Sequence, residues 1–306
     1  MAEYLQKEKD GGITFQYEKQ ERGILIMGCN GEQEQELLVP GTIEGIPVTA
    51  IAPYAWKEFR ALKRIWLPDT VTRLGSHCFY NCRSLEEVHL SDAITEVEDG
   101  AFKNCEALQH IHMNRLTNKG TCMKCIMNEL NTQLEFTLYY VREEQKVVIL
   151  FPRYVYDYEA NVEARIINQI TYGTGVHYRE CVRNGEDIDY AGYDRIFEMA
   201  VHNDEERVLC RIARNRLLYP LQLAPEARKN YYNYVMKHLE MQLEECMERE
   251  DTDTIRALGE LGLYTGENID GLLQQAHGAG NIPATTCLME YKQKLAKDSL
   301  SERFLL

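Results

Sequence analysis

The sequence predicts an α+β chain of two domains: a short β-solenoid with a 23-residue period, capped by hairpins, followed by an all-α helical domain. Three observations predict it. VTAIAPYAWKEFRALKRIWLPDT from Val48 recurs as VTRLGSHCFYNCRSLEEVHLSDA from Val71 and as ITEVEDGAFKNCEALQHIHMNRL from Ile94, and a fixed period in this range marks a solenoid. Each copy ends in a two-residue apolar alternation, which is the signature of a strand. From about Val162 the apolar period changes to nearly four, as helices require.

Stacking the copies puts like residues over like. Val48, Val71 and Ile94 share a column, as do Ile51, Leu74 and Val97. Trp56, Phe79 and Phe102 form an aromatic column beside the small residues Ala55, Cys78 and Ala101. Leu62, Leu85 and Leu108 precede Ile65, Val88 and Ile111, then Leu67, Leu90 and Met113; the last two of each set point inward from a strand whose neighbours face solvent. One turn alone is unstable: its buried side chains contribute about 1.5–3 kcal/mol each, against roughly 1–2 kcal/mol of backbone entropy per residue. Neighbouring turns and end caps are therefore required.

Both caps are visible. At the front, Leu37-Leu38-Val39-Pro40 echoes Ile65-Trp66-Leu67-Pro68, and Ile13 to Tyr17 with Gly23 to Met27 predicts a hairpin. At the back, continuing the period gives a degenerate fourth turn with Leu134 under Ile111 and Phe136 under Met113, Cys125 in the aromatic column and Asn131 in the leucine column. The runs Leu134 to Tyr140 and Lys146 to Phe151 then predict a closing hairpin.

Ala101-Phe102, Asn81-Cys82, Asn104-Cys105, the leucine columns, Thr49, Thr72 and Thr95, and the lead-in Val39 to Val48 resemble the BspA-type leucine-rich repeat family of bacterial proteins over roughly residues 10–140. The resemblance implies a surface for protein partners, with no cofactor and no catalysis; its members are mostly surface-exposed adhesion or interaction proteins. Met1 to Glu8 lacks the basic-then-apolar order of a signal peptide, so the expectation here is a cytoplasmic chain, with a surface adhesin exported by another route as the alternative.

Net charge is -14, with 48 acidic against 34 basic residues, a balance that repels nucleic acid and anionic membranes. No apolar run is long enough for a membrane span. The ten cysteines fall singly in inward repeat columns or helical patterns, so reduced thiols are expected.

The domains are expected at 1–151 and 162–306, with a linker at 152–161. Helices are expected near 162–170, 188–200, 204–218, 226–249, 252–261, 267–276 and 282–296, with Pro225 in a first turn and Thr265 and Asn281 as N-caps. Leu243, Cys246, Asp251 and Leu258 recur thirty positions on as Leu273, Ala276, Asn281 and Leu288. The second set resembles an ankyrin helix pair without its Thr-Pro-Leu-His opening; an unrelated helical bundle is the alternative.

The outward ladder positions are the candidate partner-binding residues, with the groove between the two domains as the other expected docking place. In the strict 23-residue register one column reads Arg64, Glu87, His110, Gln133 and the next Trp66, His89, His112, Glu135. Trp and Arg are the types enriched at interface hot spots. His89, His110, His112 and Glu135 are also metal-ligand types suited to zinc. Exposed sheet positions accept polar residues of any kind, so the strip is read first as protein-binding and without metal. An enzyme or metal-binding protein using that strip, or a pocket in the helical domain, is the alternative.

Other motifs read as structural. Cys122-Met123-Lys124-Cys125 lacks the second pair of a zinc ribbon. His177 and Cys181 stand four apart on a helix, the spacing of a thiol–base pair, but it recurs by chance. Tyr231, Tyr232 and Tyr234 belong to a core stripe, and Gly173-Thr174-Gly175 lacks phosphate-loop spacing. No nucleophile-elbow, kinase or metalloprotease motif occurs, and no catalytic residue is assigned.

Overall fold

The repeat register becomes two ladders, not one. The computed structural model describes residues 2–6, 12–161 and 166–304, with side chains over 12–156 and 172–297. The chain divides into two compact units, residues 1–204 and 205–306.

In the first unit, strands β1 (Ala2–Gln6), β2 (Ile13–Gln20) and β3 (Gly23–Cys29) lead to β4 (Glu36–Leu38), β5 (Thr42–Ile43) and β6 (Ile46–Ile51). The turns then supply β7 (Arg64–Trp66), β8 (Arg73–Leu74), β9 (Glu87–Ser91), β10 (Glu96–Val97) and β11 (His110–Arg115). Helix α1 (Thr121–Glu129) precedes β12 (Leu134–Tyr140) and β13 (Gln145–Phe151). The unit ends with β14 (Val155–Asn161), β15 (Ile166–Tyr172), α2 (Gly175–Glu180) and α3 (Tyr190–Ala200).

The Leu-x-x-Ile-x-Leu segments form one sheet, in the order β13-β12-β11-β9-β7-β4. The Val-Thr-x-Ile segments, for which no strand was expected, supply β6, β8 and β10 of the other, whose order is β1-β2-β3-β6-β8-β10 with β5 on β6. Those three strands are only two to six residues long, too short for alternation to declare them. Backbone bonds such as Thr72 N–H to the Thr49 carbonyl (2.9 Å) and Thr95 N–H to the Thr72 carbonyl (3.0 Å) carry it from turn to turn.

Between the sheets lies the aromatic column. Trp56, Phe79 and Phe102 are fully buried, with ring centroids 5.2 and 5.1 Å apart and planes tilted by 20°. Cys78, Cys82 and Cys105 are buried beside them, and burial pushes the Cys82 thiol up to about 12. All ten cysteines are free thiols.

The connecting corners repeat a left-handed residue. Glu58, Asn81 and Asn104 share one column with φ of 62°, 62° and 64°, and Asn104 Nδ2 donates to Asn81 Oδ1 at 2.8 Å. Asparagine tolerates this region, whereas a long side chain is strained there by about 1 kcal/mol. Glu58→Asn should therefore raise stability by about 0.5–1 kcal/mol, measured as a higher urea midpoint at unchanged m-value.

The caps differ between the sheets. The β2–β3 hairpin with β1 beyond it closes the front of one, and the antiparallel β12–β13 pair closes the back of the other. No described strand lies beyond β4, so the front edge of the second sheet is open. At the back, the Asp92 carboxylate, fully buried, accepts from the backbone N–H groups of Leu116, Thr117 and Lys119 at 2.7, 2.9 and 3.3 Å. The buried Arg115 guanidinium stands 3.6 Å from it and donates to Asp187 at 2.7 Å.

Three expectations are corrected here. The fourth turn is longer than the period: β11 and β12 pair Ile111 with Phe136 and His110 with Glu135, a two-residue slip from the strict register. Helix α1 causes it, replacing the extended path; Glu129 at its end accepts from Ala101 N–H (3.1 Å) and Phe102 N–H (2.6 Å). Second, the stretch 162–170 was expected as helix, yet Ile166–Tyr172 is a strand paired antiparallel with Val155–Asn161 inside the expected linker. Ile166, Ile167, Ile170, Thr171 and Tyr172 are strand formers whose spacing fits either period; residues 162–165 lie outside the described residues. Third, the expected helix 226–249 is broken at His238, where φ is -115° and ψ 30°.

The second unit is helical: α4 (Glu206–Leu218), α5 (Pro225–Lys237), α6 (Leu239–Glu248), α7 (Thr252–Glu260), α8 (Ile269–Gly278) and α9 (Ile282–Phe304). The thirty-residue echo is structural. Asp251 accepts from Thr254 N–H (3.0 Å) and Asn281 from Ala284 N–H (3.0 Å), so equivalent caps open α7 and α9. Pro225 is the first residue of α5. Thr265 instead accepts from Glu267 N–H in the turn before α8, which starts at Ile269. Among the described residues no helix is long and apolar enough to cross a membrane.

Candidate functional site

The open-edged sheet turns two parallel columns of side chains outward. Register pairs Glu36, Arg64, Glu87, His110 and Glu135 in one, and Leu38, Trp66, His89, His112 and Thr137 in the other. The longer fourth turn moves Glu135 from beside His112 to beside His110, where the carboxylate lies 3.7 Å from Nδ1. Gln133 falls before the strand and leaves the column.

In the second column the rings stack. Trp66 and His89 have centroids 4.8 Å apart, His89 and His112 4.3 Å with planes within 9°. Strand spacing of about 4.8 Å imposes this contact wherever successive turns carry planar side chains in one column. Glu87 ties the histidines together: its Oε1 accepts from His89 Nε2 at 2.5 Å and lies 3.2 Å from His112 Nε2. The His112 imidazole is held below its usual pKa, first by burial and then by the neighbouring His89, with Glu87 opposing. Arg64 is engaged by Glu36 on the edge strand.

The front end of the strip differs from its back. Arg64 N–H donates to the Gln35 carbonyl and Val39 N–H to the Trp66 carbonyl, both at 2.9 Å, so odd-numbered residues of β4 face β7. Glu36 and Leu38 therefore direct their backbone N–H and C=O groups away from the sheet. Leu38 is 51% exposed. Beside it Gln33, Glu34, Gln35, Glu36, Leu38 and Trp66 line a cleft of about 590 Å³. The sequence reading placed Trp66 and Arg64 on this face but missed Leu38, although its Leu37-Leu38-Val39 echo of Ile65-Trp66-Leu67 holds the signal.

The remaining motifs are quiet. Burial raises the thiol pKa of both Cys122 and Cys125, the reverse of what a reactive pair needs. Cys181 turns its thiol to the His177 carbonyl at 3.7 Å, while the His177 ring lies 3.7 Å from Glu180. Tyr231 is buried, and Tyr232 donates to the Gly262 carbonyl at 3.1 Å. A cleft of about 480 Å³ in the helical unit is lined by Cys246, Met247, Glu250, Thr252, Ile255 and Gly280 to Pro283. Burial lifts its thiol, Cys246, to about 11.

A stack of turns whose Leu-x-x-Ile-x-Leu segments build one parallel sheet is a leucine-rich repeat solenoid. Residues 43–138 match the model of the BspA type leucine rich repeat region in six copies, and the repeat segment is of that type. Among solved structures, the leucine-rich repeat protein TpLRR of T. pallidum is similar at 28% identity over 35% of this chain and 54% of its own, with a TM-score of 0.31. A leucine-rich repeat protein from Bacteroides ovatus ATCC 8483 is similar at 23% identity over 33% and 30%, with a TM-score of 0.29. Another from Bacteroides capillosus ATCC 29799 shows 24% identity over 35% and 80%, with a TM-score of 0.30. The chain thus spans 54% and 30% of the first two. No curated protein matches it.

Proposed function

We propose that this chain is a protein-interaction scaffold whose partner docks on the outward face of the leucine-rich sheet, at its open front end. One observation carries the reading: an exposed Leu38 beside a half-buried Trp66 stands over a cleft at an unpaired strand edge. Apolar anchors set among polar residues are what concentrate binding energy at interfaces, and a free strand edge adds backbone hydrogen bonds to them. Arg64, Glu87, His89, His110, His112 and Glu135 would form the polar remainder of the contact. The repeat family supports binding over catalysis. The helical half is read as a second module, of which an ankyrin-like pairing of helices is part of the proposal.

The test is partner capture. Protein bearing Trp66→Ala and Arg64→Ala should keep its circular dichroism yet lose at least thirtyfold in affinity for the partner recovered by wild-type bait, since hot-spot truncations cost about 2 kcal/mol or more. Arg73→Ala on the other sheet should change nothing. Unchanged capture by the double variant would move the site elsewhere.

A further inference from the structure

The geometry points to a divalent transition-metal site formed by Glu87, His89 and His112, of the two-imidazole, one-carboxylate kind that suits Zn²⁺. It goes beyond the partner-binding reading and does not depend on it. One ligand atom from each of the three lies within 4.8 Å of the others, the only such trio of His, Cys, Asp or Glu among the described residues. Glu87 and His89 are two apart on β9 and so share a face, and His112 is the register partner of His89 on β11. The set therefore comes from two neighbouring strands that β7 and β12 flank, and its backbone is fixed before any ion arrives.

Both His89 Nε2 and His112 Nε2 already approach the same carboxylate oxygen, at 2.5 and 3.2 Å. A tetrahedral zinc ion with bonds near 2.0–2.1 Å needs ligand atoms roughly 3.3 Å apart, so the His89 and His112 rings, stacked with planes within 9° of parallel, turn about their side-chain torsions to converge on it. Trp66 covers the other face of His89, with centroids 4.8 Å apart. Imidazole nitrogens with one carboxylate select zinc and its late transition-metal neighbours over magnesium or calcium, which prefer oxygen alone. All three side chains are 25–27% exposed, so the fourth position opens on the outward face. The sequence-level set of His89, His110, His112 and Glu135 changes accordingly: the fourth turn's slip takes Glu135 to His110, and Glu87 replaces it.

Calorimetric titration of ZnCl₂ into the full chain, stripped with chelator, should give one ion per chain at pH 7.5. Glu87→Gln and His89→Ala should each weaken binding at least tenfold, while His110→Ala and Cys125→Ser leave it within twofold. Co²⁺ in the same site should show ligand-field bands without thiolate charge transfer. Absence of wild-type binding overturns the assignment. So does binding retained in Glu87→Gln and His89→Ala, or lost in Cys125→Ser, because either places the ion elsewhere.

Discussion

Asp92→Ala should lower the stability of the solenoid by about 3–5 kcal/mol, the cost of removing one partner from a buried ion pair. The carboxylate is fully buried and does two things at once. It neutralises Arg115, itself fully buried, and it receives three backbone N–H groups of the chain leaving β11. Alanine leaves those donors without an acceptor, each at a desolvation cost of about 1–3 kcal/mol. Asp187 cannot take over, because it already accepts from Arg115 and from Ile188 N–H and is 36% exposed. Asp92→Asn keeps an acceptor but loses the charge, and should fall between alanine and wild type. Both tryptophans of the chain, Trp56 and Trp66, lie in the solenoid, so urea unfolding followed by their fluorescence reports this unit. A change below 1 kcal/mol would show that the pair is dispensable.

Phe79→Ala carries the second large effect, again about 3–5 kcal/mol. Phe79 is the middle ring of the buried stack, with Trp56 on one side and Phe102 on the other. Removing a terminal ring of such a column weakens one interface, whereas removing the central ring weakens two. Nearest-neighbour coupling holds a solenoid together, so the variant should also unfold less cooperatively, with a reduced m-value. Phe79→Leu should recover more than half of the loss. A variant with wild-type midpoint and slope would contradict the stacked arrangement.

Much of the solenoid was legible because its physics is periodic. A buried column demands an apolar residue at each turn, so Trp56, Phe79 and Phe102 announce themselves by spacing alone. The hairpins at both ends were legible for a related reason, since β-branched and aromatic runs flank clear turns. What failed was the count where the period is interrupted. Nothing in Leu134 or Phe136 reveals that α1 consumes two further residues, because both alternatives keep apolar side chains inward and shift only which outward residue faces which. Glu135 was therefore assigned to the wrong neighbour, while Trp66, His89 and His112, inside the regular turns, were aligned correctly. The pairing of Glu87 with two histidines needed that register too. The second ladder escaped notice because two-residue strands carry no measurable alternation. At 162–172 isoleucine spacing satisfied both periods, and only the partner strand decides between them.

The unequal closure of the two ladders has a consequence for how the molecule comes apart. Hairpin, ion pair and α1 secure the rear of the leucine-rich sheet, but its front strand β4 is three residues long and bonded on one side only. Amide protons at that rim should exchange faster than those of β9 and β11, which are paired on both sides. Any molecule that lies along β4 thus does more than attach: it supplies the missing clamp, coupling occupancy of the rim to the lifetime of every turn behind it.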